Sequence, residues 1–210
     1  GFDYYKVLDA QGEYYNPRFK SRETAGAYVE EDGYATDLIT GHSVDFIQQR
    51  DTTKPFCLFI HHKAPHRSWI PDMKYLELFA ETQFPVPETF YDDYSGRGSA
   101  AHEQRMHIGD DMTMVYDLKM HELTSSLKKK QKWQSNVNEQ SLAALDEEER
   151  KIWLDAFSRQ NKAYLDGEVP ADSLAEWKYQ RYVRDYLACI RSVDDSVGEI
   201  LRVLEEEGIL

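Results

Sequence analysis

The strongest hydrophobic pattern in the chain is a repeat every three to four residues near its end. Trp177, Tyr182, Val183, Tyr186, Leu187, Ile190, Val193, Val197, Ile200, Leu201 and Leu204 fall at helical spacing. The spacing predicts a long helix over 172–206 with an apolar stripe on one side, closed by Gly208 as a C′ glycine. A second periodic run, Ala35, Leu38, Ile39, His42 and Phe46, predicts a helix over 36–49 with Thr36 as its N-cap. A third, with Leu142, Leu145, Ile152, Trp153, Ala156 and Phe157, predicts an amphipathic stretch that Gly167 and Pro170 end. Around it, 100–170 reads as polar and helical in pieces, and 72–80 reads as a short helix.

Between these helices one segment changes period. Residues 56–61 are a near-continuous apolar run set behind Pro55, and they predict a strand buried on both faces. Residues 1–33 have weak periodicity and read as loops with short strands near 4–8 and 12–15, turning at Asn16 and Pro17. Helix followed by buried strand is the unit of an α/β fold. Open α/β sheets place their ligand sites at the carboxyl ends of their strands, which directs attention to the segment beginning at residue 61. No internal repeat or low-complexity linker divides the chain, so no second domain is expected.

That segment is unlike the rest. The protein has 210 residues and a net charge of −13, a balance that argues against non-specific nucleic-acid binding. No run of about 18 apolar residues predicts a membrane span. Yet His61, His62, Lys63, His66 and Arg67 gather cations and titratable groups at one point. Such a cluster suits an oxyanion: Lys and Arg supply charge-assisted donors, and a histidine can donate to a leaving oxygen. Pro65 stiffens the backbone before His66. A metal is not expected here, because neighbouring residues of a strand, His61 and His62, point to opposite faces. The pair Asp194 and Asp195 sits about 100° apart on a helix and does not converge on one ion. The basic run 128–130 and the acidic run 146–149 read as solvated helix faces. Cys57 and Cys189 read as buried free thiols, and two cysteines build neither a disulfide framework nor a zinc cage.

The stretch from Lys54-Pro55-Phe56 through Lys63-Ala64-Pro65-His66 to Trp69 resembles a pattern of the formylglycine-dependent sulfatases. Gly1-Phe2-Asp3 resembles their segment after the early active-site motifs. The run from Tyr182 through Val193-Asp194-Asp195 to Val197-Gly198 resembles their long helix before a calcium-binding strand. The three landmarks stand in family order across the chain. Phe90-Tyr91-Asp92-Asp93-Tyr94 and Gly96-Arg97-Gly98 resemble the bacterial members that act on sugar sulfates, in the glucosamine-6-sulfatase-like group.

The resemblance implies that residues 1–210 are an internal portion of one catalytic domain. It implies an alkaline-phosphatase-like α/β sandwich, with buried strand flanked by helices and a long C-terminal helix. The activity implied is hydrolysis of a carbohydrate sulfate ester. His66 matches the histidine that hydrogen-bonds sulfate and its leaving oxygen. His62, Lys63, Arg67 and Trp69 are candidates for the pocket wall by proximity, and Arg97, with Tyr91, His102, Arg105 and His107, for a sugar subsite. The implied partner is a sulfated sugar, not nucleic acid or membrane, and the implied location is periplasmic or secreted. Ca²⁺ is implied for the full-length enzyme and none for these residues. The nucleophile motif C-x-P-S-R is absent: Cys57 is followed by Leu58-Phe59-Ile60 and Cys189 by Ile190-Arg191-Ser192. The chain begins without Met and ends just behind a helix, so it reads as cut at both ends, needing the rest of the parent domain to complete its fold, and inactive alone. The competing readings are a phosphodiesterase or phosphonate hydrolase of the same superfamily and a non-catalytic sulfatase-like module.

Overall fold

The structure is a computed structural model that describes residues 1–210 apart from the side chains of residues 136–138. Three short strands open it: β1 (Lys6–Leu8), β2 (Arg18–Ser21) and β3 (Tyr28–Glu30), paired antiparallel in the order β1-β2-β3. Val7 lies opposite Lys20, and Phe19 opposite Val29. Only β1 matches an expected strand. Residues 12–15 form no strand, and Tyr15 makes a single bridge to Tyr34. Strands of three or four mixed residues carry too little alternation to be read from sequence. What holds them is tertiary: Phe19 is fully buried, its ring edge-on to His42.

Helix α1 (Ala35–Gln49) starts where expected, though by a different device. Its N-cap is Tyr34, without a side-chain cap bond. Thr36 is inside the helix and fully buried, and its hydroxyl has no hydrogen-bond partner among the described residues. Ile39, Ser43 and Ile47, four residues apart, form the buried face, and α1 packs along the last helix, α6 (Leu174–Glu206). The Thr40 and Ser196 hydroxyls meet at 2.5 Å across that contact, and Arg50 pairs with Glu207 at 2.9 Å.

The middle of the chain is helical in pieces, as expected. A 3₁₀ turn at Met73–Tyr75 stands where the 72–80 helix was predicted, with Asp72 accepting from the Lys74 N–H. Two short helices, α2 (Ser99–His102) and α3 (Ile108–Asp111), lead to α4 (Trp133–Ala143) and α5 (Glu147–Leu165). Helix α5 opens on a reciprocal capping box between Asp146 and Glu149. It inserts Trp153, Ala156 and Phe157 into a cluster with Leu76 and Leu142, while Ile152 stays exposed. Gly167 and Gly208 both have positive φ and end α5 and α6 with paired C-terminal bonds. At Gly208 these run from its own N–H to the Glu205 carbonyl, and from the Ile209 N–H to Leu204. That is the glycine C′ motif the sequence predicted.

Two expectations are corrected. Residues 56–61 are extended but form no ladder, and Phe56 and Phe59 are 42% and 66% exposed. No strand among the described residues lies beside them, so neither backbone edge is paired, and only Leu58 and Ile60 are partly covered. Cys57 is exposed with them, whereas Cys189 is buried as expected. The second correction concerns α6. Its length is as predicted, but its buried positions are Lys178, Arg181, Asp185, Ala188, Cys189, Ser192, Ser196 and Val203. Val197 and Leu201 of the apolar stripe remain exposed. The face turned into this chain is polar because charged and hydrogen-bonding groups from 109–122 and α5 meet it there. The architecture remains mixed α/β with a long C-terminal helix.

Candidate functional site

Residues 61–71 cross the centre of the molecule, between the loop at Tyr14 and Tyr15, the segment 112–120, and α6. Pro65 follows a cis peptide from Ala64, and the Arg67–Ser68 peptide is also cis. The His66 N–H donates to the Lys63 carbonyl at 3.0 Å and the Trp69 N–H to the His66 carbonyl at 3.2 Å.

The carbonyls of this loop are held from outside by side chains. Tyr14 donates to the carbonyl of His66 (2.6 Å), Lys119 to that of Trp69 (2.7 Å), Tyr34 to that of Ile70 (2.9 Å) and Tyr15 to that of Pro71 (2.7 Å). The three tyrosines are buried in one cluster with Ala64, Ile70 and Cys189. Burial drives all three hydroxyls far above the ordinary tyrosine range, so they are neutral donors.

Within this frame His66 is exposed. Its Nδ1 faces the Arg67 carbonyl. A carbonyl only accepts, so Nδ1 carries the proton, and Nε2 is the ring atom left to act outward. Lys63 is half-buried, its ammonium 5.3 Å over the Tyr14 ring, and burial lowers its pKa. The Arg67 guanidinium forms a fork on Asp117, Nε to Oδ1 and Nη2 to Oδ2, and lies 5.4 Å over the Tyr116 ring.

The other candidates lie differently. His62 turns toward α6, its Nε2 3.3 Å from the Ser196 hydroxyl; burial lowers its pKa. Trp69 packs edge-on against Tyr182 with ring centroids 4.5 Å apart, so it joins α6 to the loop. Arg97 pairs with Asp92 and lies over the Tyr94 ring; no described contact links it to His66. Lys63 and His66 thus share Tyr14 as a neighbour, Arg67 is turned onto Asp117, and His62, Trp69 and Arg97 make their contacts elsewhere.

Behind the loop lies a buried charge network. Lys119, fully buried, reaches Asp185 of α6 at 2.8 Å. Arg181 donates to the Leu118 carbonyl and to Asn161, and also bonds Gln160. Lys178 donates to the carbonyls of Gly109 and Met112. Tyr14, Asp117, Lys119 and Asp185 gave no sign in the sequence. Their spacing from His66, 52 residues for Tyr14, follows no local period, and a charged residue in an apolar stretch reads as surface unless its partner is known.

Among the described residues no group of three or more His, Cys, Asp or Glu converges to hold a metal ion. Asp195 is engaged by Tyr75 and Arg191, so these residues do not fit a calcium site. An open groove of about 810 Å³ lies between α5, α6 and 77–86, lined by Phe84, Gln160, Trp177 and Arg184 among others. None of the six candidate residues lines it.

An exposed histidine and two cations thus stand on a loop clamped beside a long helix in a mixed α/β scaffold. The chain belongs to the sulfatase family, whose model matches residues 1–210. It is 39% identical over 213 residues to an N-acetylglucosamine-6-O-sulfatase of Bacteroides thetaiotaomicron, covering all of this chain and 37% of that protein. A human N-acetylglucosamine-6-sulfatase is 28% identical over 94 residues, 43% of this chain and 17% of that protein. A solved protein in complex with its substrate, D-glucosamine-2-N,6-O-disulfate, superposes with a TM-score of 0.86 at 38% identity, over all of this chain and 42% of that one. That likeness supports the alkaline-phosphatase-like fold. The chain thus spans well under half the length of the relatives it matches.

Proposed function

We propose that this chain forms the leaving-group side of a sulfuric ester hydrolase acting on a 6-O-sulfated amino sugar. The observation that carries the reading is the His66 ring, exposed, with Nδ1–H committed to a backbone carbonyl and Nε2 directed outward. When the S–O bond breaks, its electron pair stays on the sugar oxygen; the doubly protonated imidazolium gives that oxygen the proton on Nε2 and is left neutral, with Nδ1–H still on the Arg67 carbonyl. Lys63 supplies charge to the sulfate oxygens. Arg67 has five N–H donors, two of them on Asp117, so the remainder can join Lys63. The sugar class rests on the likeness to N-acetylglucosamine-6-O-sulfatase and to the structure with a disulfated glucosamine. The nucleophile and Ca²⁺, for which these residues supply no motif or ligand set, would come from other parts of the same enzyme, as would strands beside 56–61. A periplasmic or secreted location belongs to the same proposal.

The test is sulfate release from glucosamine 6-sulfate by the protein that carries this chain together with the nucleophile segment. His66→Ala is expected to lower kcat at least about 100-fold, and the 210 residues alone to give no turnover. Faster hydrolysis of a phosphodiester or phosphonate ester than of the sulfate would overturn the reading.

A further inference from the structure

We infer that Tyr14 is a positioning residue for the sulfatase step, holding both His66 and Lys63. The inference rests on the reading of His66 proposed above.

Tyr14 is 2% exposed and stands outside every motif that marks the site. Its two ends do different work. The hydroxyl donates to the His66 carbonyl at 2.6 Å. That bond fixes the peptide plane between His66 and Arg67, and the His66 ring is itself anchored through Nδ1 to the carbonyl of Arg67. The direction of Nε2 is therefore set by two successive carbonyls, the first held by Tyr14. The ring of Tyr14 carries the Lys63 ammonium 5.3 Å from its centroid. One buried side chain thus spaces the proton donor from the cation.

Tyr14 is itself fixed. It stacks on Tyr34 with centroids 5.9 Å apart, and its hydroxyl lies beside the Cys189 thiol of α6. Tyr15 and Tyr34 bind carbonyls further along, at Pro71 and Ile70. They shape the loop without touching His66 or Lys63, so the inference is confined to Tyr14.

The two ends are separable. Tyr14→Phe removes the hydroxyl and keeps the ring under Lys63; Tyr14→Leu removes both. A misdirected proton donor slows only a reaction whose leaving oxygen needs a proton. In the protein that carries this chain together with the nucleophile segment, Tyr14→Phe is expected to lower kcat on glucosamine 6-sulfate about tenfold. Its KM should be unchanged, and its kcat on 4-nitrophenyl sulfate, whose phenolate leaves unprotonated, should change less than about twofold. Tyr14→Leu should in addition raise KM for both esters. If Tyr14→Phe slows the two esters equally, the residue is only structural, and if it slows neither it is idle; either result overturns the inference while a selective loss in His66→Ala leaves the proposed function standing. If His66→Ala itself shows no selective loss, both readings fall.

Discussion

Arg67 and Asp117 form a two-bond fork, Nε to Oδ1 and Nη2 to Oδ2, each 2.6 Å long. The partners differ in setting: the Arg67 side chain is 46% exposed and that of Asp117 is at 0%. Asp117 also accepts from the Thr113 N–H and hydroxyl. It is therefore the organising member, tying the turn at 113–117 to the loop that bears His66. Asp117→Ala leaves the part-buried Thr113 N–H without its acceptor and releases Arg67, and should destabilise by about 3 kcal/mol; Asp117→Asn, which still accepts one bond from each side, should cost about half that. Urea unfolding of the variants checks the order, and equal losses would refute it.

The pair Lys119 and Asp185 is buried on both sides, with Arg181 Nη1 a further 3.9 Å from Asp185. Removing one partner leaves an uncompensated charge in the interior. Lys119→Met and Asp185→Leu should each cost about 3–5 kcal/mol, and the double variant clearly less than their sum. A double-mutant cycle by chemical denaturation measures the coupling; additive losses would mean that the charges do not sense each other.

Burial pushes the Cys189 thiol up to about 12 from an ordinary 9.0. The neutral thiol is the form the fold accepts, so its contribution is fully present below about pH 9 and is lost as pH rises toward 12. At pH 8 a disulfide reagent should titrate one thiol in the folded chain, the exposed Cys57, and both after unfolding in urea. Rapid reaction of both thiols before unfolding would contradict the buried placement.

His62 has the opposite sign. Burial depresses its pKa below 6.5, so the folded state resists protonation more than the unfolded chain does. Its contribution is present above pH 6.5 and is lost as pH falls through the folded value. Stability should therefore decline on acidification below neutrality, and His62→Gln should flatten that decline. Thermal melts of both proteins from pH 7.5 down to 5 compare the slopes; identical slopes would remove His62 as the cause.

Helices α1, α5 and α6 were legible because their signals are local. The amphipathic repeat, the stop at Gly167 and the C′ glycine Gly208 all lie within a few residues of what they specify, whereas the capping box of Asp146 and Glu149 was missed because an acidic run reads as a solvated face. The apolar run 56–61 was legible as extended, but burial depends on neighbours the run does not encode, and Phe59 stands exposed. The apolar stripe on α6 misled in the same way. Periodicity says that a helix has two faces, and only the packing partners say which one turns inward.

The site divides along the same line. By itself the sequence determined that a cationic, histidine-bearing segment begins at residue 61, that the chain resembles the sulfatases, and that the C-x-P-S-R motif is absent. Tertiary structure alone decided which way each side chain acts: Arg67 onto Asp117, His62 toward Ser196, Trp69 against Tyr182, and His66 with its Nδ1 on the Arg67 carbonyl and its own carbonyl held by Tyr14. The physical reason is distance along the chain. A hydrogen bond or ion pair reaches about 3 Å through space and joins residues 50 to 134 apart in sequence here, where no periodicity in the sequence records it.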